Sequence, residues 1–426
     1  MRFVSPVALG LMLGLASVSM SAPTVAVAKE KAPPAPKLSA EVTKPLVAAQ
    51  EALKAKNFEA AKTALDQADA VAKTPADKYF VHSIRLNLGL ATSDAAVQRT
   101  SIEGMIASGG APAAELPKYE FFAGDFAMKA KDYDAAIAHF KTAADGGYPG
   151  SAPWLLGAEA NFQKAVSLSS NNQISPAGKP FAAAGLPLLK RAIEIEKAAG
   201  TAIPASWYNR GFSMAYASGS PDSRQWGEWN TAADPSPNNW RSMLRSYQDA
   251  NRQMTRGENL DVLRLLKQTK GLLAEYDYGE YADLAQKAGL LGEVKSTIDA
   301  GRASGKVAPN RLTELYQMAD TGIAKDKASL PASEADASKA ATGKVAVNTA
   351  DAYLGYGDYA KAAALYRVGL QKGSVDVPEV TTRLAIALAL SGDTAGAKEN
   401  FAKVTGGTRG DIARYWVMWL DQKPAA

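Results

Sequence analysis

The chain has 426 residues, too many for one compact core, so it either divides into domains or extends as an array of units that bury themselves only against their neighbours. Hydrophobic residues at 47% against 21% charged exclude disorder over most of the length, and a net charge of +5 with no run of five Lys or Arg lacks the basic stripe of a nucleic-acid binder. Cysteine is absent, which excludes disulfides, thiolate chemistry, Cys-ligated zinc and a lipid anchor on an N-terminal Cys.

Residues 1–28 have the layout of a secretory signal peptide. Arg2 supplies the positive start, Val7 to Val18 an apolar run, and Ala26-Val27-Ala28 a small-x-small cleavage site. The alternative, an uncleaved anchor helix, needs roughly twenty apolar residues where this run has about a dozen. Cleavage after Ala28 fits better than after Ala22, which Pro23 follows. The mature chain is then exported, to the periplasm if the source is a Gram-negative bacterium. Residues 29–38 are a Pro-rich linker that cannot be helical. No later segment has eighteen consecutive apolar residues, so no membrane span is expected in the mature chain.

Residues 39–219 read as N-terminal helical repeats. Within them 39–110 fit two helix pairs, 115–147 form the clearest unit, and 150–200 fit a pair with a long connection from Ser169 to Lys179; 203–219 look like one more first helix. Residues 220–236 break the pattern with Pro221 and Pro235 and read as a Trp/Pro/Gly insertion. Residues 237–342 are irregular helices, with Pro331 expected as a stop in the stretch 308–342. Residues 343–405 carry two good repeats, and 406–426 hold a helix that caps the last apolar face, followed by a tail. No run of alternating β-branched residues suggests a sheet.

Four stretches share one spelling: Lys56-Asn57-Phe58-x-x-Ala61-x-x-x-Leu65, Lys131-Asp132-Tyr133-x-x-Ala136-x-x-x-Phe140, Gly357-Asp358-Tyr359-x-x-Ala362-x-x-x-Tyr366 and Gly392-Asp393-Thr394-x-x-Ala397-x-x-x-Phe401. A fifth, weaker copy starts at Gly289 with Val294 and Ile298 in the last two places. The first residue ends one helix in the left-handed backbone region that suits Gly. Asp or Asn caps the next helix. The small Ala lets two helices approach, and the large residue four places on fills the gap on the same face. This pattern resembles the tetratricopeptide repeat family, whose period is about 34 residues. The last two strong copies lie 35 residues apart. Gly124 stands where that family places a helix-packing Gly, with Ala49, Ala350 and Ala385 there in other copies, and Trp207 and Gly211 repeat the Trp-x-x-x-Gly spacing of a first helix. The resemblance implies an all-α fold, an α-α solenoid of helix-turn-helix repeats that can be superhelical. It also implies a non-catalytic scaffold for protein–protein interaction or envelope complex assembly.

The residues offer little for chemistry. The two histidines, His82 and His139, have no metal-site spacing, and His139 beside Phe140 reads as an inter-helix residue. Gly211-Phe212-Ser213-Met214-Ala215 has the spelling of a nucleophile elbow but lies in a helical segment without a preceding strand. Phosphate-binding glycine loops are absent, and no cofactor or metal is expected. Glu275, Asp277, Glu280 and Asp283 read as a solvated helix start and not as paired glycosidase carboxylates. Members of the resembled family that clamp a peptide's terminal carboxylate use Lys and Asn on inner helices. Leu46 and Gln50, Phe121 and Asp125, and Val347 and Asp351 occupy the paired places here, so that clamp is not expected. The candidate partner-binding residues are Lys118, Phe121, Asp125, Val347, Asp351, Trp226 and Trp229. Trp207, Trp226, Trp229 and Trp240 fall close together, and an alternative role is binding a cell-wall or polysaccharide fragment by stacking on sugar rings. The blander reading makes these tryptophans the small core of an insertion folded over the array.

Overall fold

The computed structural model describes residues 37–170 and 173–422, so the signal-peptide reading and nearly all of the Pro-rich linker lie outside it. Among the described residues there are 20 helices and no strand, the one β-bridge being the isolated pair Ser170 and Gln173. The all-α expectation holds. The helices are α1 Ala40–Lys54, α2 Phe58–Val71, α3 Pro75–Ala91, α4 Ala95–Ala107, α5 Leu116–Lys129, α6 Tyr133–Asp145, α7 Ala152–Ser167, α8 Lys179–Ala198, α9 Ala205–Ser218 and α10 Ser223–Ala233, then α11 Pro237–Ala250, α12 Arg256–Gln268, α13 Glu275–Lys287, α14 Leu291–Ala303, α15 Thr313–Lys339, α16 Lys344–Tyr356, α17 Tyr359–Lys372, α18 Val377–Ser391, α19 Thr394–Ala402 and α20 Gly407–Asp421.

The repeated spelling does the work its chemistry suggests. Lys56, Lys131, Gly357 and Gly392 all have positive φ, from 56° to 94°. The next residue caps the following helix: the side chains of Asn57, Asp132, Asp358 and Asp393 accept from the amides of Ala60, Ala135, Lys361 and Gly396 at 2.8–3.3 Å. Ala61, Ala136, Ala362 and Ala397 are fully buried, as are Leu65, Phe140 and Tyr366, with Phe401 nearly so. A Cβ on Gly124 would lie 2.7 Å from the Phe140 ring, so this Gly sets how closely α5 and α6 approach. In the fifth copy Gly289 also has positive φ, but Leu290 stands at the capping place and cannot cap. The result is a tetratricopeptide-like α-α solenoid.

Two segments differ from expectation. Residues 220–236 are not an insertion that breaks the pattern. Pro221 and Pro235 flank α10, which pairs with α9, and the prolines bracket the helix instead of interrupting it. Trp226 lies over Gly211, whose Cβ would sit 2.2 Å from the indole, repeating the Phe140–Gly124 arrangement. Nor is Pro331 a stop: α15 runs through it for 27 residues. Proline removes one helical hydrogen bond there, and the far end of α15 is held from outside, by Tyr353 on Glu334 and by the Lys372 ammonium on the carbonyls of Ser338 and Ala340.

Packing divides the chain near Trp240. From α1 to α10 each helix packs on its neighbours in sequence, with α1 also against α3, and the apolar core falls into separate clusters. From α11 to α20 there is one continuous cluster running from Trp240 to Leu420. It is continuous because α20 covers α18 and α19 and also turns back onto α12, closing the C-terminal helices on themselves. The cap expected at the chain end is therefore also a clasp.

Candidate interaction site

The clasp is built around charges. On α12, Asp261 and Arg264 face inward, one turn apart, in the otherwise apolar run Leu260 to Leu266. Arg264 reaches Glu293 of α14 through Nε and Nη2, both at 2.7 Å, and Asp261 through Nη1 at 2.6 Å. Tyr281 of α13 donates its hydroxyl to Glu293 at 2.5 Å. Arg409 of α20 binds Asp261 and lies 3.3 Å from Glu379, and the Trp416 indole donates to the Asp261 carbonyl at 3.3 Å. Arg383 of α18 joins Asp351 at 2.8 Å and Glu379 at 2.6 Å, and Tyr366 donates to Asp351 at 2.5 Å. One connected hub thus ties α12, α13, α14, α16, α17, α18 and α20.

The hub's protonation follows from this wiring. Burial pushes the carboxyls of Asp261 and Glu293 up, but Arg383, Arg264 and Arg409 around Asp261, and Arg264 on Glu293, outweigh it and hold both below the usual carboxylate range. Burial and Glu293 push the Tyr281 hydroxyl well up, so it remains a donor. Gly257, in the first turn of α12, makes the approach possible, because a Cβ there would meet Glu379 Oε1 at 2.7 Å and Arg383 Nη2 at 2.9 Å.

A second set of contacts fastens the clasp to the helix pairs before it. Asp411 of α20 accepts from Arg224 of α10 at 2.9 Å and from the Tyr247 hydroxyl of α11 at 3.0 Å. Arg414 reaches Glu228 at 2.8 Å, and Gln422 links the Trp240 indole to the Thr231 carbonyl. Asp277, expected at a solvated helix start, is instead fully buried. It accepts from Arg241 at 3.0 Å, Arg245 at 2.8 Å and the amides of Leu273 and Ala274. Its first-turn position was legible; the two arginines of α11 that draw it inward were not.

Beside the hub a cavity of about 170 Å³ opens between α12, α14 and the α16–α17 turn. A second, of about 240 Å³, lies between the α13–α14 turn, α15 and α16, with Ser329, Ser333 and Asn348 in its wall.

The residues singled out from sequence do not form one groove. Lys118, Phe121 and Asp125 sit on α5, Trp226 and Trp229 on α10, Val347 and Asp351 on α16, and none of these three helices packs on another. Lys118 pairs with Glu115 at 3.7 Å and Asp125 with Lys129 at 2.6 Å, while Phe121 stacks on Tyr148 at 4.3 Å between centroids. Val347 packs against Gly369 of α17, and Asp351 is spent in the hub. Trp226 is buried; Trp229 is half-buried against it, with Lys190 6.0 Å from its ring. Trp226 and Trp240 are thus core, though of paired helices and not of an insertion folded over the array, and Trp226 has no face left for a sugar. His139 bonds Glu120 at 2.6 Å, and His82 lies over Gly104 between α3 and α4, its imidazole pushed down by burial. The hub residues were missed, although a charge inside an apolar run, as at Asp261, Arg264 and Arg383, is a sequence sign of a buried ion pair.

No family model matches the chain, and no curated protein matches it. Among solved structures it is similar to the TPR2AB domain–pHSP90 complex of yeast Sti1, at 13% identity and a TM-score of 0.24, covering 72% of this chain and 99% of that one. It is also similar to the APC/C hetero-tetramer Cut9–Hcn1, at 10% identity and a TM-score of 0.19, covering 89% of this chain and 97% of that one. The class, a tetratricopeptide-like repeat protein, rests on the turns, caps and helix pairs described above.

Proposed function

We propose that the chain is an exported, non-catalytic scaffold that binds a protein partner and helps assemble an envelope complex. The observation that carries this reading is the open arm α1–α10. Its first four pairs are fastened only to their neighbours, α10 alone also meeting α20, so the faces not used in stacking stay available along the array. Apolar side chains stand exposed on it, including Val47 on α1 and Val166 on α7, both more than two-fifths exposed. The C-terminal block supports the reading from the other side: its buried charges tie α12 to α14, α16 to α18 and α20 to α12 and α18, a structural use. Export rests on the layout of residues 1–28. Fold alone does not fix function, so the partner must be caught.

The test places a photo-crosslinking residue at Val47 or Val166 of the full chain in its own cell envelope, with Tyr276 of the block as the comparison site. Reproducible light-dependent capture of one protein from the arm positions is expected. Recovery of glycan alone, or of no partner from either arm position, contradicts the scaffold reading.

A further inference from the structure

Lys267 is placed unlike the other cations of the hub. It lies one turn beyond Arg264 on α12, in the wall of the 170 Å³ cavity. Arg264, Arg383 and Arg409 each bond carboxylates directly. Lys267 has no carboxylate within 4.0 Å among the described residues; its ammonium donates to Ser296 Oγ at 3.2 Å and lies 5.8 Å from the Tyr281 ring centroid. The nearest candidate partner, Glu293, already has both oxygens on Arg264 and one of them on Tyr281. Burial pushes the Lys267 amine down, the signature of an ammonium withdrawn from water without full compensation.

The rest of the wall suits an anion with an apolar stem. Gln268 and Tyr359 line the same cavity, and neither side chain has a hydrogen-bond partner among the described residues. Lys267, Gln268 and the Tyr359 hydroxyl can therefore all donate into the hollow. Leu354, Leu390 and the Tyr356 ring give it apolar sides. The volume far exceeds the ~10–15 Å³ that one water needs and suits a side chain. Glu293 in the same wall disfavours a dianion such as phosphate and leaves room for a single negative charge.

We propose that this cavity binds one carboxylate, paired with the Lys267 ammonium, and that the carboxylate is an Asp or Glu side chain of the partner polypeptide. The source of the carboxylate rests on the scaffold reading; the chemistry of the cavity does not.

The experiment measures acylation of individual lysines in the full chain by an amine-reactive ester, read by peptide mass spectrometry, with exposed Lys141 as the internal reference. The probes are N-acetyl-glutamate N-methylamide, its glutamine counterpart, glutarate and inorganic phosphate. The glutamate probe should slow Lys267 about fivefold at about four times its dissociation constant, by mass action, and leave Lys141 unchanged. The glutamine probe should do nothing. Tyr359→Phe and Gln268→Leu, which keep Lys267 in place to report, should weaken the protection. Protection by glutarate but not by the glutamate probe overturns the side-chain source. Equal protection by phosphate overturns the carboxylate assignment. Absence of protection by either carboxylate overturns the site, while the scaffold reading continues to stand or fall on partner capture.

Discussion

The arm α1–α10 and the block α11–α20 use the same helix pair in opposite ways. In the arm a pair such as α5 and α6 is a separable unit: Ala136 and Phe140 pack on Gly124, and the cluster ends a helix or two away. In the block no pair is separable, because Asp261, Arg264, Glu293, Arg383 and Arg409 join helices far apart in sequence. The difference shows that a local spelling makes the unit, whereas long-range charge pairing decides whether units stay an open array or close. Buried ion pairs add little net stability over well-packed apolar side chains, but removing one partner strands the other. Such a hub therefore specifies one closure more than it strengthens the fold.

The largest effect should come from breaking the hub. Asp261→Ala leaves Arg264 and Arg409 buried beside a missing charge and is expected to cost about 3–5 kcal/mol. With hydrogen exchange in denaturant read helix by helix, the transition of the block should move to lower concentration while that of the arm is unchanged. Equal loss in both regions would remove the distinction between them.

Phe140→Ala should cost about as much, roughly 3–5 kcal/mol, by opening a cavity beside Gly124. Here the loss should be local, with faster exchange in α5, α6 and α7 and none in α12 or α20.

Acid should separate the two regions next. Asp261, Asp277 and Glu293 in the block, and Asp77 in the arm, are held below the usual carboxylate range. For Asp77, burial works upward and the hydrogen bonds from Ser39 and Thr74 prevail; for Asp277 burial likewise raises it and Arg241 and Arg245 prevail. A depressed carboxyl adds stability above its unfolded value, about 3.9 for Asp and 4.3 for Glu, and that stability is lost as pH falls through the folded value. With three such buried groups against one, the block should lose stability more steeply than the arm below about pH 4. Native-state hydrogen exchange from pH 7 to pH 3, corrected for the intrinsic exchange rate and read for α1–α10 and α11–α20 separately, checks this; a steeper loss in the arm would reverse the comparison.

The smallest effects lie in the turns. Lys131 sits at φ +60°, which suits Gly, so Lys131→Gly should stabilise the α5–α6 turn by up to ~1 kcal/mol. Gly392→Ala, at φ +94°, should destabilise by about 1 kcal/mol. Asp132→Ala should cost about 1 kcal/mol through the lost cap. Thermal melts of the single variants measure all three.

The turn, cap and packing places were legible because each depends on residues within ten positions of one another. Segment 220–236 was misread because prolines that bracket a helix and prolines that break one look alike until the helix between them is seen to have a partner, here Gly211 under Trp226. Pro331 was misread because contacts from Tyr353 and Lys372, more than twenty residues away along the chain, support the helix around it. The hub lay beyond a local reading: Asp261 and Arg409 are separated by 148 residues. Each embedded charge hints at burial, but nothing in the spacing says which charge meets which. That the candidate partner-binding residues do not share one groove has a related cause, since Asp351 and Trp226 are engaged by residues on other helices.

Native-state hydrogen exchange of the full chain tests the central claim, an open arm joined to a closed block, most directly. The slowest amides of α12, α18 and α20 should open together, with one free energy and one denaturant dependence, while the arm pairs open one by one at lower values. Should α20 exchange well ahead of α12 and α18, or the arm open in a single step with the block, the closure described here would be wrong.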